Sequence, residues 1–280
     1  MKKRILGLCM AAIMTVAMSA CSSNTQTTQQ PVENTEETTQ TEQGDTALSY
    51  DKIVVGLDDT FAPLGFRDEE GNLQGVDVEL MEAASEIIGI PFELQPIDWS
   101  MKETELANKN IDLIWNGYTI TEERKEKVAF SQPYLNNRQV VVTMADSDIN
   151  TLADLAGKTV AAQAESSAVD AINSKPEIAE TFADLGEFET NDQCLIDLEA
   201  GRTDAVVADE VIIRYYVSKK GAENYKILEE DFGTEQYAVG VRQEDTALLE
   251  AVNAALDTLK ENGTTKTISE KWFGSDIIME

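Results

Sequence analysis

The apolar positions of the chain change their spacing from one segment to the next. Residues 52–57 are dominated by the strand-forming Ile53, Val54, Val55 and Leu57, whereas at 77–88 apolar residues recur every three to four positions until Gly89 and Pro91. These two patterns predict a β-strand followed by an amphipathic α-helix. The same reasoning predicts a hairpin turn at 68–72, a strand at 91–97, a short polar helix at 101–108 and a buried strand at 111–115. Strand–helix–strand succession predicts parallel pairing within an α/β layer.

A second unit of the same kind begins at about 155–161. It continues with a helix from about residue 167, a strand near residue 188, a helix at 192–199 and a strand at 205–208. The segments 108–115 and 200–207 also resemble each other, since each has a helix end, a polar turn, an aspartate and an apolar strand. We therefore expect two similar lobes around a cleft.

The residues that follow the two matching strands lie where α/β sheets bind ligands, at the carboxyl ends of the strands. These residues are 116–119 in the first half and Asp209 in the second. Near the end of the chain, 248–259 has the spacing of an amphipathic helix, closed by Asn262 and Gly263. We interpret that helix as part of a core.

The first residues form a targeting segment. Lys2, Lys3 and Arg4 precede an apolar run at 5–17 that is short for a membrane span. The run ends at 18–21 in MSAC, which resembles the lipobox of bacterial lipoproteins. This resemblance implies cleavage after residue 20 and a diacylglycerol, with palmitate among the acyl chains, on Cys21. Residues 21–49 are so poor in apolar side chains that we expect a disordered tether.

Composition excludes several kinds of chemistry. The chain has no histidine, which removes Ser-His-Asp and Cys-His nucleophiles and most zinc sites. Cys194 is the one cysteine beyond the tether, so we expect no disulfide within the mature chain. The net charge of −30 argues against nucleic acid and phosphate ligands. We expect no cofactor and no metal, although carboxylate chemistry stays open.

The run at 119–124 is the most informative polar segment. Thr121 is a natural N-cap, and Glu122 and Glu123 suit the first turn of a helix. The spacing alone predicts that Arg124 is a solvated side chain on that helix.

Six motifs change this interpretation. From about residue 53 to 274 the chain resembles the family 3 solute-binding proteins of polar amino-acid ABC importers. The resemblance implies an α/β, two-lobed periplasmic-binding-protein-like fold of type II, with the ligand cleft between the lobes, and a binding protein that is not an enzyme. The motifs are 55–63 (VGLDDTFAP), 75–80 (GVDVEL), 112–124 (DLIWNGYTITEER), 130–134 (FSQPY), 201–209 (GRTDAVVAD) and 271–274 (KWFG).

The resemblance also implies a role for each matching site residue. Arg124 would hold the α-carboxylate of the ligand, with the hydroxyl and N–H of Thr119. The carbonyl of Gly117 and the carboxylate of Asp209 would hold the α-ammonium. Phe61 and Trp99 would enclose the ligand side chain, and Asp58 would touch its end.

One loop departs from the family pattern. The segment 163–167 matches a loop that normally has Gly and two hydroxyl residues before a helix, and Glu165 replaces the Gly. Ser166 and Ser167 can still bind the ligand carboxylate. Asn116 and Tyr118 also differ from the small or apolar residues common at their positions, and we expect them to affect specificity.

We expect lobe 1 to comprise 50–138 and 239–280, and lobe 2 to comprise 141–236, joined by strands near 138–142 and 237–241. The lobes would close over a free amino acid and dock on a permease with a cytoplasmic ATPase, since the chain has no P-loop. We expect a monomer. For the ligand, the sequence favours a polar residue such as glutamine, or cystine, before a basic one. An amino-acid sensor and a dehydratase-like enzyme on the same fold remain alternatives.

Overall fold

The computed structural model describes residues 48–279. The predicted signal peptide and most of the tether, including Cys21, lie outside the described residues. The thirteen strands of the described chain are β1 (Ile53–Leu57), β2 (Thr60–Phe61), β3 (Gly65–Arg67), β4 (Leu73–Gln74), β5 (Phe92–Pro96), β6 (Leu113–Ile114), β7 (Ala129–Phe130), β8 (Leu135–Met144), β9 (Thr159–Gln163), β10 (Asp184–Phe188), β11 (Ala205–Asp209), β12 (Tyr225–Tyr237) and β13 (Gly240–Val241).

The helices of the same residues alternate with the strands. Three short 3₁₀ turns, at Trp99–Met101, Leu152–Leu155 and Ala222–Asn224, accompany them. None of the described helices is long and apolar enough to cross a membrane. The α-helices are α1 (Val76–Ile88), α2 (Lys102–Ala107), α3 (Glu122–Lys125), α4 (Ser167–Asn173), α5 (Pro176–Ala179), α6 (Asn191–Glu199), α7 (Glu210–Lys220), α8 (Thr246–Glu261) and α9 (Thr264–Phe273).

The first sheet combines the start and the end of the described chain. Its strand order is β5-β1-β6-β13-β7, and β1 pairs in parallel with both β5 and β6. The strand β13 returns antiparallel between β6 and β7. A small antiparallel sheet, β2-β3-β4, lies beside this arrangement. The predicted strand–helix–strand layer is therefore present.

The second sheet has the order β10-β9-β11-β8-β12. Here β9 pairs in parallel with β10 and β11, while β8 runs antiparallel to β11 and β12. The two sheets, each with its own helices and buried apolar core, confirm the predicted two-lobed α/β architecture.

The chain crosses between the sheets twice. The two crossings run side by side, because the amide of Ser131 donates to the carbonyl of Val239 and that of Tyr134 to the carbonyl of Tyr237, both at 2.9 Å. All of β8 pairs within the second sheet. The pairing therefore favours a first crossing that lies a few residues before the predicted 138–142. The lobe limits given above stay a prediction.

The helix expected at 77–88 is present as α1 and ends at Gly89, which has a φ of 76°. Its buried face includes Leu80 and Ala84, as the spacing predicted, and also the carboxylate of Asp77. Ile87, expected on the same face, is 39 % exposed in the last turn. The apolar face packs against α8, the core helix that the spacing predicted at 248–259.

The two matching segments play the same part in the two lobes. In the first sheet, Oδ2 of Asp112 accepts the backbone N–H of Val54 at 2.9 Å. In the second sheet, Oδ2 of Asp204 accepts the backbone N–H of Thr159 at 2.8 Å. Each aspartate thus ties the turn before its strand to the neighbouring parallel strand of its own sheet.

Candidate ligand-binding site

Arg124 points into the molecule and not into solvent. Thr121 caps α3 by accepting the amide of Arg124 at 3.1 Å, which sets the direction of the helix. The guanidinium group is buried, donates from Nη1 to the carbonyl of Thr119 at 3.0 Å, and lies 4.8 Å above the ring of Tyr118. Such stacking over an aromatic face favours a cation. The solvated interpretation of Arg124 from spacing alone is therefore wrong.

A second cation lies beside Arg124. Lys102, at the start of α2, is 1 % exposed, and its Nζ is 3.5 Å from Oε2 of Glu103. Glu103 is also 3.7 Å from Nε of Arg124 and accepts the hydroxyl of Tyr118 at 2.8 Å. Burial, and next the charge of Arg124, lower the pKa of Lys102 to about 8. We call Lys102, Glu103 and Arg124 the cation cluster.

The cation cluster holds a backbone carbonyl of the other lobe. Nζ of Lys102 donates to the carbonyl of Glu165 at 2.8 Å, and Nη2 of Arg124 donates to the same oxygen at 3.3 Å. Glu165 has a φ of 54°, the left-handed region that favours glycine. Its side chain is exposed, so the substitution at this family position keeps a glycine-like backbone while the acid remains accessible to solvent.

Asp209 lies at the end of β11, as expected, and is buried. Its Oδ1 accepts the amide of Asn137 at 2.6 Å, the amide of Gln139 at 2.9 Å and the hydroxyl of Tyr237 at 2.6 Å. The same two amide groups also donate to Oε1 of Glu235, at 2.7 and 2.8 Å. We call Asp209 and Glu235 the carboxylate pair.

The carboxylate pair has no basic partner among residues 48–279, because no Lys or Arg there lies within ion-pair distance of either side chain. Burial, and next the charge of Glu235, raise the pKa of Asp209 well above its usual range. The pair therefore favours a cation, or a proton, between or beside its oxygens.

A chain of hydrogen bonds joins the two charged groups across the lobes. The hydroxyl of Thr119, in the first lobe, donates to Oγ of Ser167 at 3.1 Å. That oxygen also accepts the amide of Gln139 at 3.1 Å, and the same amide reaches Asp209. The structure thus brings Arg124, Thr119, Ser167 and Asp209 into one connected site.

Other predicted residues lie around this site with different partners. Ser166 is buried but donates its hydroxyl to the carbonyl of Gln163 at 2.7 Å, within its own loop. Asp58 accepts the amide of Gln163 at 2.8 Å, which forms a second contact between the lobes. Phe61 and Trp99 are buried in the first lobe, and Trp99 contacts Tyr118 edge-on at 6.0 Å.

The backbone of Gly117 is held in place by a hydrogen bond to a buried side chain of α1. Its φ is 58°, and a Cβ there would lie 2.7 Å from Cε1 of Phe61. The amide of Gly117 donates to Oδ2 of Asp77 at 2.8 Å, and Tyr134 donates its hydroxyl to the same oxygen at 3.0 Å. Burial raises the pKa of Asp77 to about 7.

Sequence reasoning missed four charged residues of this site, as well as Asn137, Gln139 and Tyr237 around Asp209. Lys102 was assigned to a polar helix, although its position three after Trp99 and four before Leu106 fits a buried stripe. Asp77 likewise shares a helix face with Leu80. Glu103 and Glu235 gave no comparable signal, because charged residues in polar segments are normally solvated.

Comparisons with known proteins agree with this arrangement. Residues 53–275 match the family model of bacterial extracellular solute-binding proteins, family 3. The chain therefore belongs to that family.

Three relatives illustrate the similarity. The chain is 30% identical to the L-cystine-binding protein TcyJ of Escherichia coli (strain K12) over 80% of its own length and 84% of TcyJ. It is 34% identical to the probable amino-acid-binding protein YxeM of Bacillus subtilis (strain 168) over 81% of this chain and 85% of YxeM. A solved structure of an ABC uptake transporter substrate-binding protein from Streptococcus pneumoniae with bound histidine is 42% identical, with a TM-score of 0.80, covering 82% of this chain and 95% of that one.

Proposed function

We propose that this protein binds one free amino acid between its lobes and delivers it to the permease of an ABC importer. The observation that carries the proposal is the placement of the cation cluster, with its buried Lys102 and Arg124, and the carboxylate pair, with its buried Asp209, at the two ends of one hydrogen-bonded path. An α-amino acid carries the complementary charges a few bonds apart. A buried site favours this ligand because each of its charges then has an opposite charge beside it.

The roles of the predicted residues follow from this arrangement. Arg124 binds the α-carboxylate through its planar guanidinium group, supported by the hydroxyls of Thr119 and Ser167. Asp209 and the carbonyl of Gly117 bind the α-ammonium. Phe61 and Trp99 contact the ligand side chain, Asp58 lies at its far end, and Ser166 acts through the backbone of its loop.

Binding closes the lobes in this proposal, because Thr119 and Ser167 belong to different lobes and both contact the carboxylate. The closed protein docks on a permease whose cytoplasmic ATPase supplies the energy. A lipid on Cys21 holds the protein at the outer face of the membrane. The names of relatives support amino-acid binding, since they include binding proteins for cystine, histidine and arginine. A further relative, from Haemophilus influenzae, is named a probable amino-acid ABC transporter-binding protein, which supports import.

We propose binding without catalysis. The alternative of an enzyme on the same fold lacks a histidine base, and its carboxylates would have to perform the proton transfers. An amino-acid sensor would use the same cleft, so binding alone does not separate sensing from import. Uptake of labelled ligand into cells that lack this protein, compared with complemented cells, separates the two.

A thermal-shift screen of the full chain against the common amino acids and cystine tests the proposal. A ligand at about 100 times its Kd should raise the melting temperature by roughly 5–10 °C. Arg124→Gln should abolish the shift. Arg202→Gln is the matched control, because Arg202 is an exposed arginine of the second lobe that pairs with Asp197. A folded protein that shifts with no amino acid would refute amino-acid binding.

A further inference from the structure

The side chains of the cleft carry more negative than positive charge. Its two cations are Lys102 and Arg124, and both are already paired with Glu103. Asp209 and Glu235 add two further carboxylates, and Asp58 adds another from the first lobe. A neutral zwitterion therefore cannot balance the charges of this cleft.

The distribution of charge shows where the imbalance lies. The α-carboxylate of an amino acid offsets the net positive charge of the cation cluster. The α-ammonium offsets one charge of the carboxylate pair, and a shared proton can offset the other, since the two carboxylates contact the same amide nitrogens. Asp58 is then left without a counter-charge.

Both carboxylate oxygens of Asp58 accept hydrogen bonds from neighbouring residues. It is 7 % exposed, and its Oδ1 accepts the amide and the hydroxyl of Thr60 at 2.9 and 2.7 Å. Its Oδ2 accepts the amide of Gln163 from the other lobe at 2.8 Å. These donors are all neutral, and no Lys or Arg within residues 48–279 lies within ion-pair distance of Asp58. Burial raises the pKa of Asp58.

A second carboxylate approaches Asp58 from the opposite lobe. Asp192 lies in the first turn of α6, a helix of the second lobe that contacts β2, the strand that follows Asp58 in the first lobe. Burial and then the charge of Asp58 raise the pKa of Asp192. Closing the lobes brings these like charges together, which costs free energy unless a cation lies near both. No group of acidic side chains among residues 48–279 is arranged to hold a metal ion. The cation should therefore come from the ligand.

We propose that the ligand is a basic amino acid whose cationic side chain lies beside Asp58, facing Asp192, while Arg124 and the carboxylate pair hold its α-groups. This inference rests on the proposed function and selects the substrate class. It places the basic class ahead of glutamine and cystine, the order opposite to that favoured by the sequence. Glutamine is neutral at this end, and the second amino-acid end of cystine has no net charge.

Isothermal titration of the full chain with arginine and citrulline tests this assignment. Citrulline has nearly the shape of arginine, but its ureido group is neutral. Removing one partner of a buried charge pair costs about 2–5 kcal/mol, so arginine should bind roughly 100 times more tightly than citrulline. Lysine and ornithine, titrated in parallel, identify the preferred side-chain length.

Three variants separate the contribution of Asp58 from other effects. Asp58→Asn keeps Oδ1 for Thr60 but removes the charge, so the arginine-to-citrulline ratio should fall to about tenfold or less. Asp59→Asn is the matched control, because the neighbouring Asp59 pairs with Arg67 and should leave the ratio unchanged. Glu235→Gln should weaken both ligands by a similar factor, because it acts at the α-ammonium.

The possible results distinguish the two proposals. If citrulline, glutamine or cystine binds as tightly as arginine, the basic class is wrong while amino-acid binding stands. If Asp58→Asn leaves the ratio unchanged, Asp58 is not the partner of the side chain and the assignment fails. If neither these ligands nor any amino acid of the thermal-shift screen binds the folded wild-type protein, the proposed function itself fails.

Discussion

The loops that meet at the cleft share a backbone conformation in the two lobes but differ in charge. Gly117 in the first lobe has a φ of 58°, and Glu165 in the second has a φ of 54°. The first lobe supplies Arg124 and Lys102, whereas the second supplies Asp209, and Glu235 lies on a strand of its sheet. Neither lobe alone matches both charges of a zwitterion. Similar folds thus give a site that is complete only where the lobes meet.

The lobes also differ in how their loops are supported. In the first lobe, a buried carboxylate of the lobe itself, Asp77, holds the amide of Gly117. In the second, the carbonyl of Glu165 is held by cations of the opposite lobe. The first loop is therefore fixed before the lobes meet, while the second gains part of its support on closure.

The largest effect that we expect concerns the support of the first loop. The pKa of Asp77 is about 7 when folded, against a usual value near 4, so between these pH values the folded protein keeps a proton that the unfolded chain has released. The free energy of unfolding should therefore fall as pH rises through this range, by roughly 4 kcal/mol at most. Asp77→Asn cannot ionise and should remove this part of the dependence in urea unfolding. The same pH slope in both proteins would contradict the assignment.

The next effect concerns the charge of the second lobe. Asp209→Asn keeps an acceptor for Asn137 and Tyr237 but loses the counter-charge of the α-ammonium. We expect the affinity for the preferred amino acid to fall about 100-fold in a calorimetric titration. Asp184→Asn, on an exposed position of the same lobe, should bind normally. Equal affinities of the two variants would show that Asp209 has no direct part in binding.

The third prediction compares the equivalent aspartates of the two sheets. Asp112 accepts the amide of Val54 and also pairs with the buried Arg242 at 2.8 Å, whereas the side chain of Asp204 accepts only the amide of Thr159 among residues 48–279. Asp112→Ala should therefore cost about 3 kcal/mol of unfolding free energy and Asp204→Ala about 1 kcal/mol. Urea midpoints measure both. Equal losses would mean that the ion pair adds nothing.

The smallest effect concerns the left-handed residues. A non-glycine side chain at a φ of 54° carries backbone strain, which Gly117 avoids at the corresponding place in the first lobe. Glu165→Gly should therefore stabilise the ligand-free protein by about 1 kcal/mol, less the entropy that glycine gains in the unfolded chain. A lower melting temperature for the variant would indicate that the Glu165 side chain makes a stabilising contact.

The spacing of apolar residues was sufficient for the main elements of the fold. It predicted α1 and α8, because each buries one regular face against a single layer, and a run of strand-forming residues predicted β1, whose residues pack on both sides of the sheet. It also predicted two similar units, which Asp112 and Asp204 now mark in the structure. Spacing could not place the crossings between sheets, since a strand that passes from one lobe to the other shows no change in periodicity.

The charged residues of the cleft show the limit of such reasoning. Asp209 was found from its place at the carboxyl end of a predicted strand, but Arg124 was found only through a resemblance, because a buried arginine and a solvated one have the same local sequence. Lys102 and Glu235 are buried or paired by contacts with partners 63 and 98 residues away along the chain, namely Glu165 and Asn137. The first contact exists only after both lobes have folded, and the second only after β8 and β12 have paired.

The unusual conformation of Glu165 has a practical consequence. Its carbonyl accepts a hydrogen bond from Lys102 of the opposite lobe, yet its side chain is exposed to solvent beside the cleft. The cysteine of the described residues, Cys194, is buried, so in a form of the chain that begins after Cys21 the variant Glu165→Cys can be labelled selectively at that position. A solvent-sensitive dye at that position would change its emission as the cleft closes, which turns the protein into an optical sensor for its own ligand.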